Sequence, residues 1–124
     1  MARWLGKKRR TTRVKHEWGK MNPLEQRFYT EYLLPRLEIG EIEEVTFEGV
    51  TFRIAEKCTY TPDFMVVYQD CIRVIEVKGF LEEDALVKWK GAAERFPYFQ
   101  FSMVFWDSKK KEWKWREYDK ALGV

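Results

Sequence analysis

Two apolar runs in the middle of the chain give its clearest hydrophobic pattern. They cover residues 60–68 and 71–77, are rich in β-branched and aromatic residues, and are separated only by Gln69 and Asp70. This arrangement predicts a β-hairpin. A turn centred on those two residues fixes the register of the strands. It places Tyr68 opposite Cys71, Val67 opposite Ile72, Met65 opposite Val74, and Asp63 opposite Glu76.

Two helices are predicted on either side of this hairpin. The first begins at Asn22-Pro23-Leu24-Glu25, with Asn22 as the N-cap, Pro23 in the first helical position and Glu25 in the third, and should end within residues 35–37. The second covers residues 82–96, where acidic residues suit the N-terminal end of a helix. Its apolar stripe comprises Leu86, Trp89, Ala93 and Phe96, and Gly91 indicates close packing.

Further strands are predicted from shorter apolar segments. Residues 41–48 and 50–56 suggest a hairpin around Glu48-Gly49, and residues 99–106 and 113–118 suggest two strands joined by an exposed loop. The 124-residue length fits one domain. We therefore predict an α/β domain in which a mixed, mostly antiparallel central sheet is flanked by two helices.

Charge is distributed unevenly along the chain. The net charge is +3, but the first twenty residues carry eight basic side chains and one acidic side chain. Residues 1–21 therefore form a basic arm ahead of a predicted domain at residues 22–124, and the arm is predicted to bind nucleic acid, with a solvated tail as the alternative. The candidate DNA-binding residues in the arm are Lys7, Lys8, Arg9, Arg10 and Arg13.

The cellular location of the protein is predicted from its lack of membrane-spanning and signal segments. No apolar run is long enough to span a membrane, and the basic N-terminus lacks the apolar region of a signal peptide. Cys58 and Cys71 show neither metal-binding nor redox spacing, so they are expected to be reduced thiols. We therefore expect a cytoplasmic protein with no membrane partner, in the host cytoplasm if a phage encodes it.

Asp63 and Glu76 form the candidate catalytic pair. Directly opposed residues have Cβ atoms roughly 5 Å apart, so two carboxylates there repel unless a cation lies between them. Lys78 is two residues beyond Glu76 and shares its face of the strand. Carboxylates that bind Mg²⁺ beside a lysine suit phosphodiester hydrolysis. The alternative is a plain hairpin with charged ends, in which Asp63 is a turn residue.

Pro62-Asp63 followed by Glu76-Val77-Lys78 resembles the signature of the PD-(D/E)XK nuclease superfamily. The flanking residues are similar to small phage endonucleases and, more distantly, to archaeal-type Holliday junction resolvases. The resemblance covers roughly residues 22–118 and implies a restriction-endonuclease-like fold with Mg²⁺- or Mn²⁺-dependent hydrolysis of DNA. It also implies that Asp63, Glu76 and the Val77 carbonyl bind the metal while Lys78 orients or activates the attacking water.

The resemblance suggests roles for residues on both helices. Glu25 is either a capping-box partner of Asn22 or a further catalytic, metal-binding carboxylate, with Glu31 as the next candidate. Lys88 or Lys90 would approach the active site or the DNA phosphates, unless both belong to a solvated helix face. Because these lysines are two positions apart on a helix, at most one should reach the site.

Three functions remain open from the sequence. The first is an endonuclease with little sequence preference or a preference for branched DNA. The second is a dedicated Holliday junction resolvase, which would require a two-fold homodimer to cut two strands symmetrically. The third is a non-catalytic nucleic-acid-binding module. His16 is the only histidine, which argues against histidine-metal nucleases and a Ser/His triad.

Overall fold

A five-stranded sheet forms the centre of the computed structural model, which describes residues 21–124. The strands in chain order are β1 (Ile42–Phe47), β2 (Phe52–Ala55), β3 (Cys58–Tyr60), β4 (Phe64–Tyr68), β5 (Ile72–Lys78), β6 (Gln100–Asp107) and β7 (Glu112–Glu117). The main sheet has the order β1-β4-β5-β6-β7, and β2 and β3 form a separate two-stranded sheet. Strands β5 and β6 are parallel, whereas the other neighbours are antiparallel. The mixed α/β architecture predicted from the sequence is confirmed.

The β4–β5 hairpin has the predicted register. Val67 pairs with Ile72 and Met65 with Val74, and the Tyr68 amide donates a 2.8 Å hydrogen bond to the Cys71 carbonyl. The apolar segment at residues 60–68 is not one continuous strand, however, because β3 ends at Tyr60 and β4 begins at Phe64. The break contains Pro62, which has no N–H to donate to a strand ladder.

The predicted hairpin around Glu48-Gly49 is wrong. Strand β1 pairs with β4, and β2 pairs with β3. Glu48 has a left-handed φ of 51°, and its amide donates a 2.8 Å hydrogen bond to the Asp63 carbonyl, so the chain leaves β1 towards a different partner. The apolar residues of β1 and β2 also belong to two separate cores, since Val45 and Phe47 lie in one and Phe52 lies in the other.

The first helix, α1, consists of three consecutive segments: Pro23–Phe28 and Leu34–Glu38 are α-helical, and Tyr29–Leu33 between them is π-helical. The predicted N-terminus is confirmed, because Asn22 caps it and forms a capping box with Glu25. The helix continues slightly beyond the predicted end. Pro35 does not stop it, because the chain passes from the π-helical segment through the proline into the last α-helical segment.

The second helix, α2, spans Glu83–Arg95. Its predicted stripe is confirmed, since Trp89 and Ala93 are fully buried. A Cβ atom on Gly91 would lie 3.1 Å from Cγ2 of Ile54, so the predicted close packing at this glycine is also confirmed. No helix within residues 21–124 has the length and apolar character needed to cross a lipid bilayer.

The two helices cover opposite faces of the sheet. Ile75 and Val77 of β5 pack in the core that contains Phe28 of α1, whereas Val74 packs in the core that contains Trp89 of α2. Side chains alternate between the two faces of a strand. Glu76 and Lys78 therefore project from the face on which α2 and the β2–β3 sheet lie.

Candidate active site

Asp63 and Glu76 meet where β5 passes the break before β4. The last pair of this ladder is Phe64 with Ile75, and Asp63 and Glu76 lie one residue beyond it. One carboxylate oxygen of Asp63, Oδ2, accepts a 2.8 Å hydrogen bond from the Val77 amide. This bond extends the β4–β5 contact through a side chain. It also orients the Asp63 carboxylate and leaves Oδ1 for other partners.

Both carboxylate oxygens of Glu76 have partners. The Tyr60 hydroxyl donates a 2.5 Å hydrogen bond to Oε1, and Nζ of Lys78 lies 3.4 Å from Oε2. The structure therefore brings together Asp63, Glu76 and Lys78, as the sequence predicted. Tyr60 was not predicted as a site residue, although it stands three positions before Asp63, at the end of β3.

Burial makes the charged forms of these carboxyl groups unfavourable. Asp63 and Glu76 are each only 7% exposed. Burial, then repulsion from Glu76 and Glu25, raises the pKa of Asp63 to about 9, and the hydrogen bond from Val77 opposes the rise. Burial also raises the pKa of Glu76, although the bonds from Tyr60 and Lys78 oppose this. The site therefore favours a positive charge that would neutralise the pair.

Tyr60 remains a hydrogen-bond donor throughout the physiological pH range. Burial raises the pKa of its hydroxyl far above the ordinary value, and the neighbouring negative charge of Glu76 adds to the effect. A protonated hydroxyl donates a hydrogen bond to Oε1 of Glu76 and carries no negative charge that would repel the carboxylate. Tyr60 therefore holds the Glu76 carboxylate in one orientation.

Glu25 fills the predicted capping-box role and also lies near Asp63. Its Oε1 accepts a 2.9 Å hydrogen bond from the Asn22 amide, and its own amide donates a 2.8 Å bond to Oδ1 of Asn22. It is 9% exposed, and its negative charge raises the pKa of Asp63. The capping box therefore fixes the Glu25 carboxylate at a position where its charge acts on Asp63.

Among residues 21–124, none of the remaining candidates forms an ion pair with Asp63 or Glu76, and the arm candidates lie outside the described residues. Glu31 is exposed and pairs with Arg27 at 2.9 Å, so it does not replace Glu25. Lys88 is exposed and Lys90 is half-buried on α2, and the lysine that pairs with Glu76 is Lys78. The arm candidates Lys7, Lys8, Arg9, Arg10 and Arg13 lie outside residues 21–124. DNA binding by these lysines and arginines stays a prediction.

The donor chemistry of the site fits a hard divalent cation. Carboxylate oxygens are the ligands that Mg²⁺ and Mn²⁺ prefer. Asp63 and Glu76 supply such oxygens in adjacent, mutually repelling positions. Within the described part of the chain, however, no three His, Cys, Asp or Glu side chains form a ready-made metal centre. A bound ion would therefore depend on the Asp63–Glu76 pair, completed by a backbone oxygen or water.

The described residues form an α/β domain with a buried carboxylate pair beside a lysine at one end of its mixed sheet. No protein-family model, curated protein or solved structure matches this chain. Any assignment of function therefore rests on the chemistry of the site and on the sequence motif that produces it.

Proposed function

We propose that this protein is a divalent-metal-dependent endonuclease that hydrolyses DNA phosphodiester bonds. The observation that carries the proposal is the cluster of Asp63 and Glu76, both buried, with Lys78 Nζ 3.4 Å from Glu76. Two buried carboxylates are costly to keep together without a counter-charge. Retaining them beside a lysine suits a site that binds a cation and a phosphate. The order Pro62-Asp63, then Glu76-Val77-Lys78, is also that of PD-(D/E)XK nucleases.

In this proposal each residue has a separate task. Asp63 and Glu76 hold Mg²⁺ or Mn²⁺, together with the Val77 carbonyl. When bound, the metal polarises the phosphate and lowers the pKa of water. Lys78 lies beside Glu76, where its ammonium can orient the attacking water or offset charge developing on the phosphate. Tyr60 keeps Glu76 in position through its 2.5 Å hydrogen bond.

The direct test is cleavage of two DNA substrates by the full-length protein with Mg²⁺ or Mn²⁺. We expect a supercoiled plasmid and a synthetic four-way junction both to be cut. Cutting confined to symmetric positions in the junction would instead identify a resolvase. Binding without any cleavage would leave only a nucleic-acid-binding module. Chelator and the Asp63→Asn variant serve as negative controls.

Substitutions at Glu25 can separate its capping role from a catalytic one. Glutamine is accepted at the third position of a capping box, so Glu25→Gln should keep the helix cap while removing the charge near Asp63. We expect its thermal stability to match or exceed that of the wild type, and its cleavage rate to fall at least tenfold. Melting curves and single-turnover cleavage at several Mg²⁺ concentrations would measure both effects.

Glu25→Ala is the matched control for this experiment. It also removes the hydrogen bond to the Asn22 amide, so it should cost about 1 kcal/mol of stability that Glu25→Gln keeps. Wild-type cleavage by Glu25→Gln would limit Glu25 to its structural role at the helix cap.

Deleting the basic arm through Arg13 tests phosphate recognition by that segment. The deletion removes Arg3, Lys7, Lys8, Arg9, Arg10 and Arg13. The slope of log K against log salt should become shallower by about 0.9 for every phosphate that the protein no longer neutralises. Binding of catalytically inactive full-length and truncated proteins across a salt series would measure this change.

Single-turnover cleavage at saturating DNA should survive the same deletion, because Asp63, Glu76 and Lys78 lie outside it. An unchanged salt slope would show that the arm binds no phosphate. Loss of cleavage at saturation would show instead that the arm helps to build the active site or a dimer, which would strengthen the resolvase alternative.

A further inference from the structure

The turn between β6 and β7 lies at the same end of the sheet as the candidate active site. Strand β6 runs parallel to β5, with Glu76 beside Met103 and Lys78 beside Phe105. Beyond Phe105, the β6–β7 hairpin continues through the pairs Trp106–Trp113 and Asp107–Glu112. The turn that follows, residues 108–111, therefore projects past the end of β5, one strand away from Lys78.

Hydrogen bonds to Asp107 give this turn a defined shape. Its Oδ1 accepts from the amides of Lys109 at 3.0 Å and Lys110 at 3.1 Å, and its carbonyl accepts from the Lys111 amide at 2.7 Å. The three consecutive lysines, which we call the lysine tip, are exposed. An ordered backbone therefore carries three exposed positive charges at this end of the sheet.

The base of the hairpin is held against helix α1. The Arg27 guanidinium carbon lies 3.8 Å from the centre of the Trp106 ring, and the Trp106 and Trp113 rings meet edge to face at 5.0 Å. Helix α1 also carries Glu25, whose charge acts on Asp63. The same helix therefore contacts the carboxylate cluster and the hairpin that carries the lysine tip.

The charge of the lysine tip is not neutralised locally. Residues 107–114 contain four lysines and two acidic residues, a net charge of +2. Asp107 forms its ion pair with Lys114, at 3.4 Å. Lys109, Lys110 and Lys111 form no ion pair with the acidic side chains of residues 21–124.

Lys111 occupies a backbone position that favours glycine. Its φ is +56°, in the left-handed region that non-glycine residues enter only at an energetic cost. The turn geometry alone would be better served by glycine. Glycine at position 111 would therefore remove the positive charge while keeping the shape of the turn.

We propose that the lysine tip binds the phosphate backbone of DNA beside the active site. This inference rests on the proposed nuclease function, and it identifies a substrate contact that neither the site nor the basic arm provides. Lysine binds phosphate as a point charge without reading the bases. The contact would hold the duplex across the end of the sheet without selecting a sequence.

Substituting Lys111 by glycine tests this contact against a closely matched control. Lys57, in the β2–β3 turn, is also exposed and has a left-handed φ of 61°. That turn precedes Cys58, at the end of β3 opposite to Tyr60, which is the residue of this strand that contacts Glu76. Lys111→Gly and Lys57→Gly remove the same charge and relieve the same backbone strain.

The two variants should agree in stability and differ in DNA binding. In full-length protein made inactive by Asp63→Asn, each should keep or slightly raise the melting temperature. Near 0.1 M salt, Lys111→Gly should weaken binding of a fluorescent duplex about 5–10-fold and reduce the salt slope by about 0.9. Lys57→Gly should leave both quantities unchanged.

A second variant, Lys109→Gln with Lys110→Gln, leaves the left-handed position untouched and should also reduce affinity and salt slope. Equal affinities of Lys111→Gly and Lys57→Gly, with no loss in the double variant, would overturn the proposal. Failure of the nuclease proposal would give a different result in the cleavage assay. Wild-type protein would then bind DNA through the lysine tip without cleaving it in Mg²⁺ or Mn²⁺.

Discussion

Asp63→Asn should abolish DNA cleavage and at the same time make the metal-free domain more stable. The asparagine oxygen can still accept the 2.8 Å hydrogen bond from the Val77 amide, and its NH₂ group can donate to a neighbouring carboxylate. The variant loses only the ionisable carboxyl group, which the unfolded chain ionises more readily than the folded one. We expect cleavage to fall below detection and the free energy of unfolding at pH 8 to rise by about 1–3 kcal/mol.

The stability difference should grow with pH. The folded-state pKa of Asp63 is raised to about 9 from the ordinary 3.8, so the unfolded chain ionises first and the folded chain keeps its proton. The wild type therefore loses this contribution progressively as the pH rises from about 4 to about 9. Asp63→Asn has no such loss. Melting curves in chelator between pH 5 and pH 8 would measure the widening difference.

Asp70→Asn is the control for the loss of one negative charge. Asp70 is exposed in the turn at the opposite end of the same hairpin. Its substitution should change neither cleavage nor the pH dependence of melting. Asp63→Asn with wild-type cleavage would disprove the site assignment. Unchanged melting would show that folding does not raise the pKa of Asp63.

Lys78→Met should reduce turnover far more than DNA affinity. Methionine keeps much of the apolar length of the side chain and removes the ammonium that lies 3.4 Å from Glu76. Because that charge acts where the transition state becomes more negative, we expect single-turnover cleavage at saturating DNA to fall about 10²–10³-fold. Binding in Ca²⁺, which should support binding but not cleavage, should change less than threefold.

Lys114→Met provides the matched comparison. Lys114 pairs with Asp107 at the same 3.4 Å, but its side chain is 59% exposed, against 22% for Lys78. The Lys114→Met variant should cleave at the wild-type rate when DNA is saturating. A Lys78→Met variant that loses affinity but keeps its turnover would make Lys78 a simple phosphate contact.

Local sequence information was sufficient for the part of the site that lies on one hairpin. The short turn at Gln69-Asp70 sets the register, and that register brings Asp63 towards Glu76 and places Lys78 on the same face. The cap at Asn22 is equally local, because it depends on residues three positions apart. Such features need no knowledge of the remaining chain.

Features that depend on distant pairing were not predictable in the same way. Strands β1 and β2 are adjacent in the sequence, but β1 pairs with β4 and β2 pairs with β3. Their apolar residues also lie in different cores, Val45 in one and Phe52 in the other. Tyr60 reaches Glu76 across 16 residues, through the break at Pro62. The position of the lysine tip depends on the parallel pairing of β5 with β6.

The strand order also limits how two copies of this domain could associate. Among the strands of residues 21–124, β1 and β7 form the two edges of the main sheet. The β1 ladder is irregular between Ile42 and Glu44, and β7 carries charged residues such as Lys114 and Arg116. Irregular and charged edge strands resist pairing with another sheet. A two-fold dimer that cuts junctions would therefore use other surfaces, and amide hydrogen exchange along both edges should be the same in monomer and dimer.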